Sequence, residues 1–284
     1  MRVDELESDV INAPIMVEET MESGQFFNWV ETDGWYRTVV DGEEIAVRDS
    51  SQGESESESE SEGVEYIGSR DTVTDFLGLG DSVEEIKQRI DHDERVRKAM
   101  DRYPGLRLVN SDFYTTTISF IISAQNRIPR IRSLVVELSE RYGDLHDGAP
   151  RFPEPETLAG VSESELRDVG LGYRAPYVKE SSRQIDEGEV SPREIREMEY
   201  HDAHREIQEL MGVGDKVGDC ILLFGLDFHE AVPLDTWMEK TIDEYYTSMS
   251  GDSYMETCDN FREKFGEWSG YAQNYLFHYI RHHG

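Results

Sequence analysis

Cysteine is nearly absent from this chain. Cys220 and Cys258 are the only two in 284 residues, so no disulfide framework is suggested, and four-cysteine zinc or iron–sulfur ligation is impossible within one chain. Long apolar runs are absent too. No stretch reaches membrane-spanning length and no charged-then-apolar leader opens the chain, so a soluble, cytoplasmic protein with no membrane partner is expected. Basic residues are scarce: 28 Lys and Arg stand against 61 Asp and Glu, a formal net charge of −33. That balance is wrong for an ordinary nucleic-acid binder. Either the protein avoids polyanions, or the acidity keeps it solvated in a salty cytoplasm. The uneven distribution favours the second. Residues 1–66 hold 19 acids and 3 bases, whereas residues 104–142 hold 3 acids and 5 bases, namely Arg107, Arg127, Arg130, Arg132 and Arg141. A locally basic strip in so acidic a chain implies a face that meets an anion.

The length suits two modest domains. Up to about residue 70 the texture is that of short strands. Gln25–Val30, Gly34–Val40, Glu44–Arg48 and Val64–Ile67 are aromatic and β-branched, and Asp33-Gly34 and Asp41-Gly42 are hairpin turn signals. Ser50 to Gly63 is a Ser-Glu repeat that cannot bury apolar area and reads as a solvated, mobile loop. From residue 71 to 284 the period becomes helical. Phe113 to Ser123 is nearly all apolar and predicts a buried central helix. Ile131, Leu134, Val135, Leu138 and Tyr142 mark the face of another. Further helices are expected near 157–169, 176–187, 200–211, 216–226, 236–247, 254–267 and 270–282. The fold class is therefore α+β: an antiparallel sheet domain, 1–70, joined to a larger all-helical domain, 71–284.

The most informative stretch is Leu210-Met211-Gly212-Val213-Gly214-Asp215-Lys216, followed by an apolar run to Leu226. It reads as a helix-hairpin-helix at about 201–226. Gly212 and Gly214 permit a tight turn that aims N–H groups outward at a helix start, where a phosphate can sit. A lysine in the first helical turn is out of place electrostatically, because the positive helix end disfavours an ammonium and frees the amine as a nucleophile. Asp235 precedes Thr236-Trp237-Met238 and reads as a helix N-cap. A lysine nucleophile with a carboxylate suits attack on a sugar carbon. The bland alternatives are a solvated lysine, disfavoured there by about 0.3–1 kcal/mol, and an aspartate that only caps.

This hairpin resembles that of the helix-hairpin-helix glycosylases with the Gly/Pro-Asp signature. Ser23-Gly24-Gln25-Phe26-Phe27-Asn28-Trp29, Phe120 to Ile131, Gly170-Leu171-Gly172-Tyr173-Arg174-Ala175, Gly212 to Asp235 and Gly270 to Phe277 extend the resemblance over nearly the whole chain and narrow it to the 8-oxoguanine DNA glycosylase/AP lyase family. The resemblance implies a bifunctional enzyme that flips out and excises 8-oxoguanine opposite cytosine, then cuts the abasic site. It implies Lys216 as nucleophile at C1′ and Asp235 as the carboxylate that stabilises the cationic sugar. Gly24, Cys220, Gln273 and Phe277 would form the base pocket, with the Gly24 carbonyl accepting from the N7–H that oxidation adds. Tyr173 would wedge into the duplex, while Arg174, Arg130, Asn126 and Gln125 would face the orphaned cytosine. Gln125 stands where the family has asparagine, and Trp237 where it has histidine. Double-stranded DNA with oxidised guanine or abasic sites is the implied partner. A monomer is expected, with no cofactor and no metal: His201, His204, His278, His282 and His283 form no convincing cluster. The acidity points to a halophilic archaeal source. The competing readings are a hairpin glycosylase for other damaged bases, a non-catalytic DNA-binding module and an acidic interaction scaffold.

Overall fold

Two Asp-Gly turns set the sheet. The computed structural model describes residues 7–50, 63–143, 145–146 and 148–283, so the Ser-Glu repeat, at 51–62, lies outside the described residues. Strands β1 (Asp9–Asn12), β2 (Val30–Thr32), β3 (Trp35–Val40), β4 (Glu43–Asp49) and β5 (Gly63–Ile67) pair antiparallel in the order β1-β5-β4-β3-β2. Asp33-Gly34 and Asp41-Gly42 each place both residues at positive φ, the two-residue turn whose twist matches the strands it joins.

Two features of this region depart from the sequence reading. Helix α1 (Val17–Glu22) has no capping side chain of its own. Its first amide donates instead to Asp49 Oδ1 at 2.9 Å, 32 residues away, so no local signal announces it. The expected strand over Gln25–Val30 begins only at Val30. Phe26 packs in the sheet core and Phe27 in the helical core, so the alternation divides two cores rather than two faces of a sheet. Side chains replace the ladder bonds: Gln25 donates to Arg107 O and accepts from Val109 N, and Asn28 donates to Pro150 O.

The helical part runs α2 (Arg70–Phe76), α3 (Val83–Ile90), α4 (Glu94–Arg102), α5 (Phe113–Ser123) and α6 (Ile128–Tyr142), then a small hairpin of β6 (Leu145–His146) and β7 (Ala149–Pro150). All eleven residues of α5 are buried, as its composition requires. Next come α7 (Pro155–Gly160) and α8 (Glu163–Val169). The single helix expected over 157–169 breaks here because Ser162 and Glu165 form a capping box that starts a new one. The chain continues through α9 (Ala175–Asp186), α10 (Pro192–Ile195), α11 (Tyr200–Ile207), α12 (Asp215–Gly225), α13 (Thr236–Tyr245), α14 (Tyr254–Phe265) and α15 (Ser269–His283).

Two buried polar centres fix these elements. Arg107, only 2% exposed, donates to Pro14 O, Gly78 O and Asp81 O. It ties the N-terminal segment to the loop after α2, and it is a structural staple rather than part of an anion-facing strip. Asp219, on α12, is fully buried and accepts from the hydroxyls of Tyr200 on α11 and Tyr254 on α14. Burial pushes its carboxyl above the usual range, opposed by His204 and by those hydroxyl bonds. Tyr254 Oη in turn accepts from Leu234 N at 3.2 Å, which carries the network to the residue before Asp235.

Replacing Arg107 by methionine strands three carbonyls and should lower stability by about 3 kcal/mol or more, read as a drop in the denaturant midpoint. Tyr254→Phe removes one donor from a buried carboxylate and should cost about 1–3 kcal/mol in the same measurement. A loss under about 0.5 kcal/mol in either variant would contradict its role.

Candidate active site

The hairpin turn needs its first glycine twice over. Gly212 has φ +90°, and a Cβ there would stand 2.8 Å from Tyr177 Cβ. The turn delivers the chain to Gly214, which N-caps α12 in an open position with nothing within 4 Å of a would-be Cβ. Lys216 follows in the first turn of α12. It is half-buried, with Nζ 5.1 Å from the centre of the Phe120 ring, and Phe120 stacks in turn on Phe224.

Asp235 caps α13. Its Oδ1 accepts from Trp237 N at 3.0 Å and Met238 N at 2.9 Å, so both capping bonds fall on one carboxylate oxygen and hold the group's direction. Lys216 and Asp235 line a common cavity of about 860 Å³, together with Gly24, Phe27, Phe120, Gln125, Asn126, Arg127, Ile128, Trp237, Phe277 and Arg281. Cys220 is one turn behind Lys216 and buried. Burial pushes its thiol up to about 11, against the opposing charge of Lys216 and with a smaller contribution from Asp235. The thiol therefore stays protonated at neutral pH.

Of the expected base pocket, Gly24 and Phe277 line the cavity. Gly24 has φ +93°, and a Cβ would lie 2.4 Å from Ile128 Cδ1, so only glycine fits both the backbone and the space. Cys220 and Gln273 sit behind the lining, 2% and 5% exposed, and the Gln273 amide donates to Pro233 O at 3.0 Å.

The residues expected to face the opposite base gather at one rim. Gln125 is in the left-handed region, φ +56°, a costly conformation for a residue with a side chain. Asn126 caps the end of α5 by donating from Nδ2 to Ile122 O at 2.8 Å. Arg174 is largely buried. Its guanidinium donates to Ala124 O and lies 4.4 Å from the centre of the Tyr173 ring. Tyr173 itself is 49% exposed. A Cβ on Gly170 would stand 2.5 Å from Arg130 Nη2, so the exposed Arg130 lies against the turn that carries Tyr173. Tyr173 meets Tyr177 edge-on, and Tyr177 adjoins Gly212. The rim and the hairpin are thus one continuous surface.

The basic strip narrows accordingly. Arg107 is internal, Arg132 covers the Trp29 ring at 4.0 Å and Arg141 pairs with Glu137. Arg127 and Arg130 are the two exposed members beside the cavity.

Sequence reasoning missed Arg281. It falls four residues after Phe277 and eight after Gln273, one helix face, and that spacing was the available signal. Its Nη1 donates to Ser23 O at 3.1 Å. It also missed Phe27 and Phe120, whose apolar packing hid their place on the cavity wall. Among the described residues no His, Cys, Asp and Glu group is arranged to hold a metal ion, and no helix is long and apolar enough to cross a membrane.

Comparison with known proteins matches this architecture. The family model "HhH-GPD superfamily base excision DNA repair protein" matches residues 118–267, and "8-oxoguanine DNA glycosylase, N-terminal domain" matches residues 10–116. A probable N-glycosylase/DNA lyase of Methanothermobacter thermautotrophicus is 32% identical over 68% of this chain and 69% of its own length. The N-glycosylase/DNA lyase OGG1 of Arabidopsis thaliana is 28% identical over 91% and 75% respectively. The Clostridium acetobutylicum 8-oxoguanine glycosylase/lyase, solved in complex with double-stranded DNA containing cytosine opposite 8-oxoguanine, superposes with a TM-score of 0.85 at 29% identity, covering 97% of this chain and 96% of that one. A hairpin lysine and a capping aspartate that line one cavity, an N-terminal domain that lends a glycine to it, and these matches agree: the chain belongs to the HhH-GPD superfamily of base excision DNA repair proteins, in its 8-oxoguanine DNA glycosylase family.

Proposed function

We propose that this protein excises 8-oxoguanine paired with cytosine from duplex DNA by a lysine nucleophile and then cleaves the abasic site. The observation that carries the reading is the shared cavity: Lys216 and Asp235 face the same 860 Å³ space as Gly24 and Phe277. It is supported by the relatives named N-glycosylase/DNA lyase and by the likeness to an 8-oxoguanine glycosylase/lyase structure.

In this reading the damaged nucleotide turns out of the stack into the cavity. The Lys216 amine attacks C1′ as the bond from C1′ to the base breaks, and the electron pair of that bond leaves with the base. The sugar is cationic at this stage, and the Asp235 carboxylate, held by two amide donors, stabilises it without reorganising. The departing base takes the proton lost from nitrogen, whose lone pair then breaks the C1′–O4′ bond as O4′ takes a proton from water, and a Schiff base results. Removal of a C2′ proton then expels the 3′ phosphate, and water releases Lys216. Gly24 O accepts from the N7–H of the oxidised base. Normal guanine has an acceptor at N7, so the same contact would set two acceptors against each other. Phe277 stacks on the base. Gln273 reads its Watson–Crick edge after exchanging its bond to Pro233 O, and Cys220 backs the pocket.

Tyr173, 49% exposed on the turn beside Arg130 and Arg174, fills the gap in the duplex. Arg130, Arg174, Gln125 and Asn126 face the unpaired cytosine, and Gly212 and Gly214 present hairpin amides to phosphate. The protein acts as a cytoplasmic monomer in concentrated salt, as expected of a halophilic archaeon. Among the described residues Arg127 and Arg130 are the exposed arginines of the basic strip beside the cavity, so most of the binding comes from wedge, pocket and hairpin contacts rather than phosphate neutralisation.

Borohydride should trap a covalent adduct between the protein and 8-oxoguanine DNA. Lys216→Gln should abolish it, and Asp235→Asn should slow single-turnover excision by about 10²–10⁴-fold. Excision unaffected by Asp235→Asn, or wild-type protein that neither excises nor traps across a damage panel, would refute the assignment. The salt dependence of DNA affinity should be shallow, with a slope equivalent to about three phosphate contacts or fewer. A slope equivalent to six or more, roughly −5 or steeper, would show that charge carries the binding.

A further inference from the structure

Arg281 stands at the junction of both halves of the cavity. It lies on α15, on the face that carries Gln273 and Phe277, and its guanidinium is 5.7 Å from the centre of the Phe277 ring. Nη1 donates to the carbonyl of Ser23, the residue before Gly24, and stands 3.8 Å from where a Gly24 Cβ would be. The remaining anchors of that segment are made to residues that do not line the cavity. Ser23 Oγ donates to Thr20 O, and the Gln25 amide donates to Ser23 Oγ and Arg107 O while accepting from Val109 N. The Gln25 bonds reach into the protein core and hold the chain just after Gly24. Arg281 holds it just before, from the cavity side. The peptide plane that Arg281 fixes is the one from which Gly24, at φ +93°, turns its own carbonyl. A glycine with this freedom has no side chain to set its direction, so the neighbouring planes must do it.

Burial holds the guanidinium somewhat below its ordinary range, and the charges of Asp235 and Glu22 oppose that effect. The group therefore sits within the field of the Asp235 carboxylate while, among the described residues, its hydrogen bond goes to the Ser23 backbone.

We infer that Arg281 is a positioning residue for lesion discrimination: by clamping the Ser23 carbonyl it sets the Gly24 carbonyl at the place where an oxidised purine is distinguished from guanine. This rests on the reading of the cavity as the base pocket. A guanidinium can make this bond while stacking its plane near Phe277, and a lysine can make the bond alone.

The test uses the full chain as wild type, Arg281→Leu and Arg281→Lys. Two single-turnover rates are measured on otherwise identical duplexes: excision of 8-oxoguanine opposite cytosine, and strand cleavage at a preformed abasic site, where no base is read. Folding is checked by thermal melting. Arg281→Leu should lose at least about tenfold more of the excision rate than of the abasic cleavage rate, and Arg281→Lys should recover a substantial part of that difference. Equal loss of both rates, or no loss of excision, would overturn the inference and assign Arg281 to general packing or to Asp235. Failure of the wild type to excise 8-oxoguanine at all would instead sink the base-pocket reading itself.

Discussion

The buried carboxylate of Asp219 is the constraint on which the site depends. A charge-capable group with no solvent exposure must be met by donors, and two tyrosine hydroxyls supply them and extend the network to a third element. Tyr200 brings α11, Tyr254 brings α14, and the same Tyr254 oxygen takes the amide of Leu234. Asp219 lies three residues beyond Lys216 on α12, and Leu234 lies one before Asp235. A single hydrogen-bonded centre therefore fixes the rotation of the helix that presents the amine and the start of the helix that presents the carboxylate. The hairpin turn adds aim, because Gly212 packs against Tyr177 and cannot carry a side chain there.

The cavity gathers its parts from across the chain. The N-terminal sheet domain contributes little to the surface of the cavity, but it supplies Gly24 and Phe27 through an irregular segment whose neighbours divide between two cores. Arg107 stabilises the seam from within and Arg281 spans it from the cavity side. The two sides of the cavity thus rest on different supports: Lys216 and Asp235 on the Asp219 network, and the Gly24 turn on Gln25 and Arg281.

Much of this was legible in the sequence where the signal is local. The Asp-Gly turns, the apolar run of α5, the hairpin glycines and the capping position of Asp235 each follow from one residue's own backbone preference or one helix's period, and the structure has them where those rules put them. What was not legible depends on partners distant in sequence. The start of α1 is capped by Asp49. The aromatic alternation at Phe26 and Phe27 imitates a strand because two cores, like two faces, ask for apolar residues side by side. Arg107 reads as a surface cation until three backbone carbonyls surround it. Arg174 reads as a guanidinium turned to the orphaned cytosine, yet it ties the Tyr173 turn to Ala124 O. Arg281 lay on a legible helical face, but its partner, the Ser23 carbonyl, is 258 residues away.

In the proposed reaction the amine of Lys216 forms the bond to the sugar. Peptide mapping by mass spectrometry of the borohydride-reduced adduct tests it most directly. The deoxyribose-derived mass is expected on the peptide containing Lys216, at that side chain. The same mass on another lysine or on the N-terminal amine, with Lys216 unmodified, would contradict it.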